Sequence, residues 1–148
     1  MHIRKFKKED AIKVSNLIRK CLLEVNINDY PRKIINEMVK HFTPSQIIKN
    51  SKERNVFVAV ENDRILGTAS IKDNIILTVF VNPNIQGKGI GSKLMNKVED
   101  YAKKNGYKEV KLPSSLTSLE FYKKRGYKKI KMLHSDKYGD AIEMKKKL

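Results

Sequence analysis

The stretch that decides the fold runs from residue 79 to residue 92 and reads VFVNPNIQGKGIGS. Its first three residues extend an apolar, β-branched run that begins at Ile75, and such a run predicts a strand covered on both faces. Asn82-Pro83-Asn84 ends this strand, because proline has no N–H for a β-ladder and asparagine favours turns. From Ile90 onward apolar residues recur at helical spacing, so a helix is predicted after the glycines.

Three glycines lie between the predicted strand and the predicted helix. Gly87, Gly89 and Gly91 tolerate positive φ and let an outside group approach the backbone closely. The first turn of a helix also carries free N–H groups at the positive end of the helix dipole. Together these features predict an anion site, usually occupied by phosphate, with Lys88 as a mobile positive charge beside it. The alternative is a glycine-rich connection that binds nothing.

Two common phosphate-binding loops do not fit these residues. The Walker pattern requires Ser or Thr after Gly-Lys, whereas Gly89 follows Lys88 here. The dinucleotide-binding fingerprint requires a third glycine where Ser92 stands, and an acidic residue about 20 positions further along the chain.

The pattern Gln86-x-x-Gly89-x-Gly91 after a strand resembles the acetyl-CoA signature of the GNAT-type N-acetyltransferases. The resemblance implies that amides of the loop bind the pyrophosphate of CoA. It also implies that the preceding strand pairs its backbone with the pantetheine arm. The cofactor-binding residues implied in this stretch are Val79, Phe80, Val81, Gln86, Gly87, Lys88, Gly89, Ile90, Gly91 and Ser92.

A second block, Phe121-Tyr122-x-x-x-Gly126-Tyr127, also resembles this family, whose usual form ends in Gly-Phe. Tyr122 then matches the family tyrosine that serves the departing thiolate as general acid, and a phenol is neutral at pH 7 and can donate. The alternative is that Tyr122 only packs beneath the cofactor. Ser115 stands where family members commonly carry asparagine, and a serine can still hydrogen-bond the pantetheine, so Ser115 is also a cofactor-binding candidate.

The general base stays open at this stage. Many relatives carry a glutamate early in the fourth strand, but residues 75–77 contain no acid. Asp73 is nearest, although Asp-Asn at a hairpin is first of all a turn signal. His41, His134 and Asp136 are further candidates. An ordered water, or an acceptor that is already deprotonated, could replace a side-chain base.

The whole pattern predicts an α+β fold. The predicted order is strand, helices, an antiparallel meander into the glycine loop, then helix, strand, helix and two strands. The strand–helix–strand passage around the loop implies that the fourth and fifth strands are parallel. The fifth strand is predicted to close at Pro113, and Thr117 with Glu120 has capping-box spacing. The resemblance implies the same architecture: an α/β sandwich, with a central mixed, mostly antiparallel sheet flanked by helices in the GNAT-like acyl-CoA N-acyltransferase fold.

Length and composition favour a single domain spanning residues 1–148. Cys21 is the only cysteine in the sequence and lies in an apolar helical stripe, so we predict a core residue in a reducing compartment. The basic N-terminus is not followed by an apolar segment, and no run approaches the length of a membrane span. We therefore predict a cytoplasmic protein without membrane partners. No zinc-ligand spacing is present, and no metal site is predicted.

The formal net charge is +16, from 32 Lys and Arg against 16 Asp and Glu. Such an excess attracts polyanions, but the lysines are scattered along the chain, so most are interpreted as a solvated surface. A basic nucleic-acid-binding domain is a third reading that draws on this charge alone. The chain lacks zinc-ligand spacing and an RNP-type run of stacking aromatics, so a nucleic-acid partner is not expected.

The leading hypothesis is an acetyl-CoA-dependent N-acetyltransferase that moves the acetyl group to a primary amine by direct transfer in a ternary complex. The alternative is a CoA-binding regulatory or partner-binding module with weak catalysis, which the missing strand glutamate favours. The acceptor, whether a small molecule or a peptide amine, cannot be identified from the sequence. The oligomeric state is also open, with a homodimer among the options.

Overall fold

A computed structural model of the chain describes residues 1–85 and 87–148. It contains a seven-stranded sheet in the order β1-β2-β3-β4-β5-β7-β6. The strands are β1 (His2–Lys5), β2 (Asn55–Glu61), β3 (Arg64–Lys72), β4 (Ile75–Val81), β5 (Glu109–Ser115), β6 (Lys128–Leu133) and β7 (Ala141–Lys147). The helices are α1 (Ala11–Glu24), α2 (Arg32–Lys40), α3 (Pro44–Ser51), α4 (Ile90–Lys104) and α5 (Leu119–Lys124).

The sheet is mixed and mostly antiparallel. Strands β1 to β4 form an antiparallel meander, and β7 pairs antiparallel with both β5 and β6. The β4–β5 pair is parallel, as the strand–helix–strand passage predicted. The position of β7 between β5 and β6 could not be predicted from the chain order, because the residue pattern of a strand does not determine which strand it pairs with.

The two faces of the sheet carry separate hydrophobic cores. Along β2, Phe57 and Ala59 pack into the core under α4, whereas Val58 and Val60 pack into the core under the helices α1 to α3. This alternation is the period of two that a strand buried on both faces requires. The apolar stripe predicted for α1 is buried over Val14, Leu17, Ile18, Cys21 and Leu22.

A buried carboxylate fixes α5 and the last strands against α4. Glu99 of α4 accepts hydrogen bonds from the Tyr127 hydroxyl (2.6 Å), an Arg125 guanidinium nitrogen (3.0 Å) and the Lys146 ammonium group (3.2 Å). Burying a charged carboxylate is costly unless such donors satisfy it. The cluster therefore sets the distance between α4 and the segment that carries Tyr122.

The start of α5 differs from the predicted one. The capping box of Thr117 and Glu120 is wrong, because α5 begins at Leu119 with Ser118 as its N-cap residue. A tight turn precedes it, in which the Ser115 side-chain oxygen accepts from the Ser118 amide (3.1 Å). Within residues 1–85 and 87–148, every helix is too short or too polar to pass through a lipid bilayer.

Candidate active site

The parallel strands β4 and β5 separate toward their carboxyl ends. Among the described residues their register pair is Ile75 with Lys111, and the Lys111 amide donates to the Asn74 carbonyl (3.0 Å). Beyond this point a cleft opens between residues 78–81 of β4 and residues 112–115 of β5. Backbone polar groups on the two inner edges therefore lack a strand partner, and such groups need one when water is excluded.

A bulge in β4 lies where the cleft opens. Thr78 has a φ of 55°, which is an outlier for a β-branched residue. The register shifts at the same place, since Thr68 pairs with Phe80 but Ser70 pairs with Leu77. The Ser70 hydroxyl supports the bulge by donating to the Leu77 carbonyl (2.7 Å). The bulge bends β4 and re-aims the backbone that follows it, which is a recognised use of bulges beside sites.

Pro113 lies inside β5, opposite Glu143 of β7, so the predicted strand end at this residue is wrong. The Lys111 amide points toward β4. Backbone groups two residues further along a strand face the same edge, so position 113 also faces β4. A proline is tolerated there because the separated strand requires no N–H from it.

The glycine loop leaves open space in front of α4. Gly87 and Gly89 have φ values of 87° and 75°, and a Cβ added to either would meet no atom within 4 Å. Gly89 is the N-cap residue of α4, and within residues 1–85 and 87–148 no side chain caps the helix. The first intrahelical bond runs from the Lys93 amide to the Gly89 carbonyl (3.0 Å). The amides of residues 90–92 therefore remain available at the positive end of the helix dipole.

Helix α3 shows what an ordinary helix start looks like in the same molecule. Its N-cap, Thr43, accepts a hydrogen bond from the Gln46 amide through its side chain (3.3 Å). Pro44 at the first helical position removes one of the free donors altogether. The start of α4 has neither device, which marks it as a place for an outside acceptor.

Gly91 has a different role from the other two glycines. It lies within α4, and a Cβ at this position would come within 3.3 Å of the Phe121 ring and 3.6 Å of Val81. The missing side chain therefore permits close packing of α4 against α5 and β4. Of the two properties predicted for these glycines, Gly87 and Gly89 show positive φ, whereas Gly91 shows only close approach to its neighbours.

Tyr122 lies in the wall shared by two openings. Its side chain lines both the cleft between β4 and β5 and a groove of about 440 Å³ beside the glycine loop. The residue is 5% exposed, and burial raises its pKa, although the nearby positive charge of Arg125 opposes the shift. The ring makes edge-to-face contacts with Phe121 and Tyr127. The phenol is therefore held in place and stays protonated at neutral pH.

Most of the other predicted site residues surround the same space. Val79 and Val81 line both openings, Phe80 and Ser115 line the cleft, and Gly87, Gly89, Ile90, Gly91 and Ser92 line the groove. Lys88 is exposed in the glycine loop. Gln86 lies outside the described residues. The structure thus brings the two sequence blocks, which are about 30 positions apart, to opposite sides of one opening.

Several residues that line the two openings were not predicted from the sequence to be site residues. Thr117 and Ser118 line the groove, and the Thr117 hydroxyl is buried without a hydrogen-bond partner among the described residues. Thr78 and Asn26 line the cleft. A β-branched residue at a bulge, or a polar residue in a turn, carries no local sign of what it faces.

Cys21 is a core residue, as predicted, and it also lines the cleft. Its thiol is 4% exposed and donates to the Val81 carbonyl (3.2 Å). Burial raises the pKa of Cys21 to about 12, with a further contribution from the negative charge of Glu24. The thiol is therefore protonated at neutral pH, which agrees with its interpretation as a packing residue and not a nucleophile.

None of the four candidate bases lies in the cleft wall. Asp73 occupies the β3–β4 turn, at the end of β4 that is remote from the opening. His134 is exposed and its Nδ1 lies 2.7 Å from an Asp140 carboxylate oxygen, and the His41 ring contacts the Tyr138 ring in a tilted arrangement. Among the described residues that line the cleft there is no carboxylate and no imidazole.

Comparisons with known proteins agree with this geometry. The family model described as "Acetyltransferase (GNAT) domain" matches residues 22–148. A search of curated proteins gives no match.

Solved structures cover nearly the whole chain. A GCN5-related N-acetyltransferase from Rhodopseudomonas palustris has 20% identity and a TM-score of 0.93, covering 99% of this chain and 95% of that one. The PaiA N-acetyltransferase from Thermoplasma acidophilum, solved with coenzyme A, has 21% identity and a TM-score of 0.85, covering 99% and 98%. The yncA protein from Salmonella typhimurium, solved with acetyl-CoA, has 20% identity and a TM-score of 0.67, covering 99% and 93%. At these identities the likeness establishes the fold.

Proposed function

The chain belongs to the GNAT acetyltransferase family, and on this premise we propose that it transfers an acetyl group from acetyl-CoA to a primary amine within one ternary complex. The observation that supports the proposal best is the opening between β4 and β5, which leads from the uncapped start of α4 to Tyr122. An enzyme of this kind needs an anion site at one end and a proton donor at the other, and the opening offers both.

The chain's own residues suit CoA in three ways. The amides of residues 90–92 and the open space at Gly89 fit a pyrophosphate. The unpaired edges of β4 and β5 can exchange hydrogen bonds with the two amides of a pantetheine arm, as an added strand would. The Thr117 hydroxyl, which lacks a hydrogen-bond partner in the described part of the chain, adds a polar group in the same groove.

The transfer requires one bond to form and one to break. The amine nitrogen forms a bond to the thioester carbonyl carbon, and the bond from that carbon to sulfur breaks. The attacking nitrogen becomes positively charged and releases a proton to water, so that a neutral amide forms. The sulfur leaves with the electron pair and takes the Tyr122 proton, after which the phenol regains a proton from solvent. The pKa of a thiol lies above neutral pH, so protonation by a positioned acid stabilises the departing sulfur as a leaving group.

The amine must also lose a proton, because an alkylammonium has a pKa of about 10.4 and its nitrogen cannot attack. No carboxylate or imidazole stands in the described cleft wall. We therefore propose that water in the cleft carries this proton to solvent. The rate should then rise with pH toward the pKa of the bound amine, without the plateau near pH 6 to 7 that a histidine base would give.

A second candidate function is a CoA-binding module without useful catalysis. The observation that favours it is the same lack of a charged base in the described wall of the cleft. It shares the anion site and the pantetheine edges with the leading proposal, so cofactor binding alone cannot separate the two.

The test combines a binding measurement with a turnover measurement. CoA should raise the melting temperature of the protein, and acetyl-CoA should release free thiol in the presence of at least one amine from a panel of polyamines, aminoglycosides, amino acids and peptides. Tyr122→Phe should lose the thiol release and keep the CoA-induced shift, whereas Tyr107→Phe, a tyrosine away from the cleft, should keep both. A CoA-induced shift with no thiol release from any amine would favour the binding module, and no shift would contradict both candidates.

A further inference from the structure

Four lysines lie in one line across the sheet, at the end where β4 and β5 are still paired. Lys72 of β3 pairs with Ile75 of β4, and Ile75 pairs with Lys111 of β5. Lys111 pairs with Lys145 of β7, which in turn pairs with Lys128 of β6. Residues directly opposite each other in a sheet project from the same face. Lys72, Lys111, Lys145 and Lys128 are called the lysine row below.

The lysine row projects from the face of the sheet opposite α4. Val110 and Leu112 of β5 and Met144 of β7 alternate with the row and are buried in the core under α4. The row therefore occupies the opposite face. On that face α1 packs against β3 and β4. The lysines at 72, 128 and 145 are exposed and the one at 111 is half-buried.

The positive charges of the lysine row repel one another in the protein without a bound partner. Neighbouring strands are about 4.8 Å apart, and like charges directly opposite each other destabilise a sheet. No lysine of the row forms an ion pair with any described residue. The acids on this face flank the row, since Glu109 is opposite Lys147 and Glu143 is opposite Lys131. Such a line calls for an anion outside the chain.

The length of the row restricts what this anion can be. Four strand spacings separate Lys72 from Lys128, which amounts to about 19 Å. A single phosphate or carboxylate would reach one or two of these side chains, whereas a polymer of phosphates presents repeated charges along this distance. The row contains no aromatic side chain on which a base could stack, and Ile75 is its one apolar member.

We propose that the lysine row binds the phosphate backbone of double-stranded nucleic acid, without reading its base sequence. The expectation against a nucleic-acid partner rested on lysines scattered along the chain and on the lack of zinc-ligand spacing and of stacking aromatics. The strand register collects four of them, from residues 72 to 145, into one line. Acetyl transfer uses the other end of β4, so this binding site is independent of the proposed activity.

The test is a salt titration of binding to a fluorescent 20-base-pair DNA duplex. Two variants with equal loss of charge are compared with the unmodified protein. One carries Lys72→Gln, Lys111→Gln, Lys145→Gln and Lys128→Gln. The other carries Lys49→Gln, Lys52→Gln, Lys103→Gln and Lys104→Gln, at exposed helical or helix-flanking positions outside the row. The circular dichroism spectrum and the melting temperature of each variant check that it is folded.

The slope of log affinity against log salt should fall by about 3.6 in the row variant, because each neutralised phosphate contributes about 0.9. The control variant should keep most of the slope of the unmodified protein. Equal losses in the two variants would overturn the proposal and assign DNA binding to the total charge. Displacement of the duplex by polyglutamate at an equal concentration of charge would overturn it in favour of an acidic polypeptide. An unmodified protein that fails to bind the duplex at 50 mM salt would also contradict it.

Discussion

The two ends of β4 handle charge in opposite ways. At the carboxyl end the strand separates from β5, and the surrounding groups are backbone amides, glycines and neutral side chains. At the amino end the strand pairs with β5, and the neighbouring strands project the lysine row into solvent. The carboxyl end of β4 thus lies in a partly enclosed cleft lined mostly by backbone groups, whereas its amino end lies beside an exposed line of charged side chains.

This difference teaches where specificity can arise. Amides at a helix start and along a strand edge are fixed in direction and cost no side-chain entropy on binding. Lysines are flexible and strongly hydrated, and their attraction weakens as salt rises. The carboxyl end can therefore recognise one molecule, whereas the amino end can hold a class of polyanions. Substitutions at single residues can test whether the two ends differ in this way.

The largest effect should come from the proton donor at the carboxyl end. Tyr122→Phe should lower kcat roughly 100-fold, since general acid catalysis typically contributes at least that much. CoA affinity should change less than about threefold, because the ring and its contacts with Phe121 and Tyr127 are retained. Steady-state kinetics with the best amine of the panel, together with calorimetry, would separate the two quantities. Unchanged turnover would remove the general acid from the mechanism.

The next effect concerns the uncapped start of α4. Gly89→Val should weaken CoA binding by about 2 kcal/mol, roughly 30-fold, because the new side chain enters the space in front of the amides. Gly106→Val is the matched control, since Gly106 has a φ of 88° and a Cβ there would also meet no atom within 4 Å.

Both glycine variants should lose about 1 to 2 kcal/mol of unfolding free energy from the strained backbone. Only Gly89→Val should lose CoA affinity, as measured by calorimetry at a temperature where both variants are folded. Equal CoA affinities for the two would show that the start of α4 is not the anion site.

A smaller effect is expected on the pH dependence of the unfolding free energy, through the buried thiol of Cys21 in the wall of the cleft. In the unfolded chain the thiol ionises near the ordinary cysteine pKa of 9.0, whereas in the folded protein its pKa is about 12. Between these values the unfolded chain has released a proton that the folded protein retains, so raising the pH favours unfolding. From pH 8 to pH 10 this one group should remove about 1.4 kcal/mol of stability.

Cys21→Ala should lose less stability over the same interval, by about that amount. Urea unfolding at pH 8 and pH 10 measures the difference, and the comparison of intervals cancels the cavity that the substitution leaves. Buried tyrosines with raised pKa values, such as Tyr122 and Tyr127, act mainly above pH 10. Equal pH dependence in the two proteins would mean that the thiol ionises normally in the fold.

The smallest effect should come from Lys88, an exposed charge in the glycine loop beside the cleft. Lys88→Gln should weaken CoA binding by about 0.5 kcal/mol, roughly twofold, because an exposed ammonium group is screened by solvent and salt. Calorimetry at 50 mM and 300 mM salt would measure it. A loss greater than that of Gly89→Val would contradict the view that backbone amides dominate at this end.

The sequence was most informative where local chemistry decides the structure. The turn at Asn82-Pro83, the glycines before α4 and the apolar stripe of α1 each act through nearby backbone, so their residue types indicate their structures. Gly106 belongs to the same class, since a glycine after the basic last turn of a helix takes positive φ where α4 ends.

The features that the sequence did not predict depend on residues that are distant in the chain. Pro113 was predicted to end β5, but it is accommodated because β4 has moved away from that edge. The bulge at Thr78 depends on its register with β3, and the lysine row depends on five strands at once. The predicted role of Cys21 in the core holds, but its place in the cleft wall follows from the packing of α1 on β4. Each of these features is set by how the strands and helices pair and pack, so no single segment of sequence can predict it.

The most direct test of the central claim is a CoA titration of ¹⁵N-labelled protein followed by NMR. If backbone amides at the start of α4 bind the diphosphate, the amide signals of Ile90, Gly91 and Ser92 should shift first and furthest, and the signals of the lysine row should stay in place. Shifts confined to the lysine row, or to any other surface while residues 90–92 are unmoved, would contradict it.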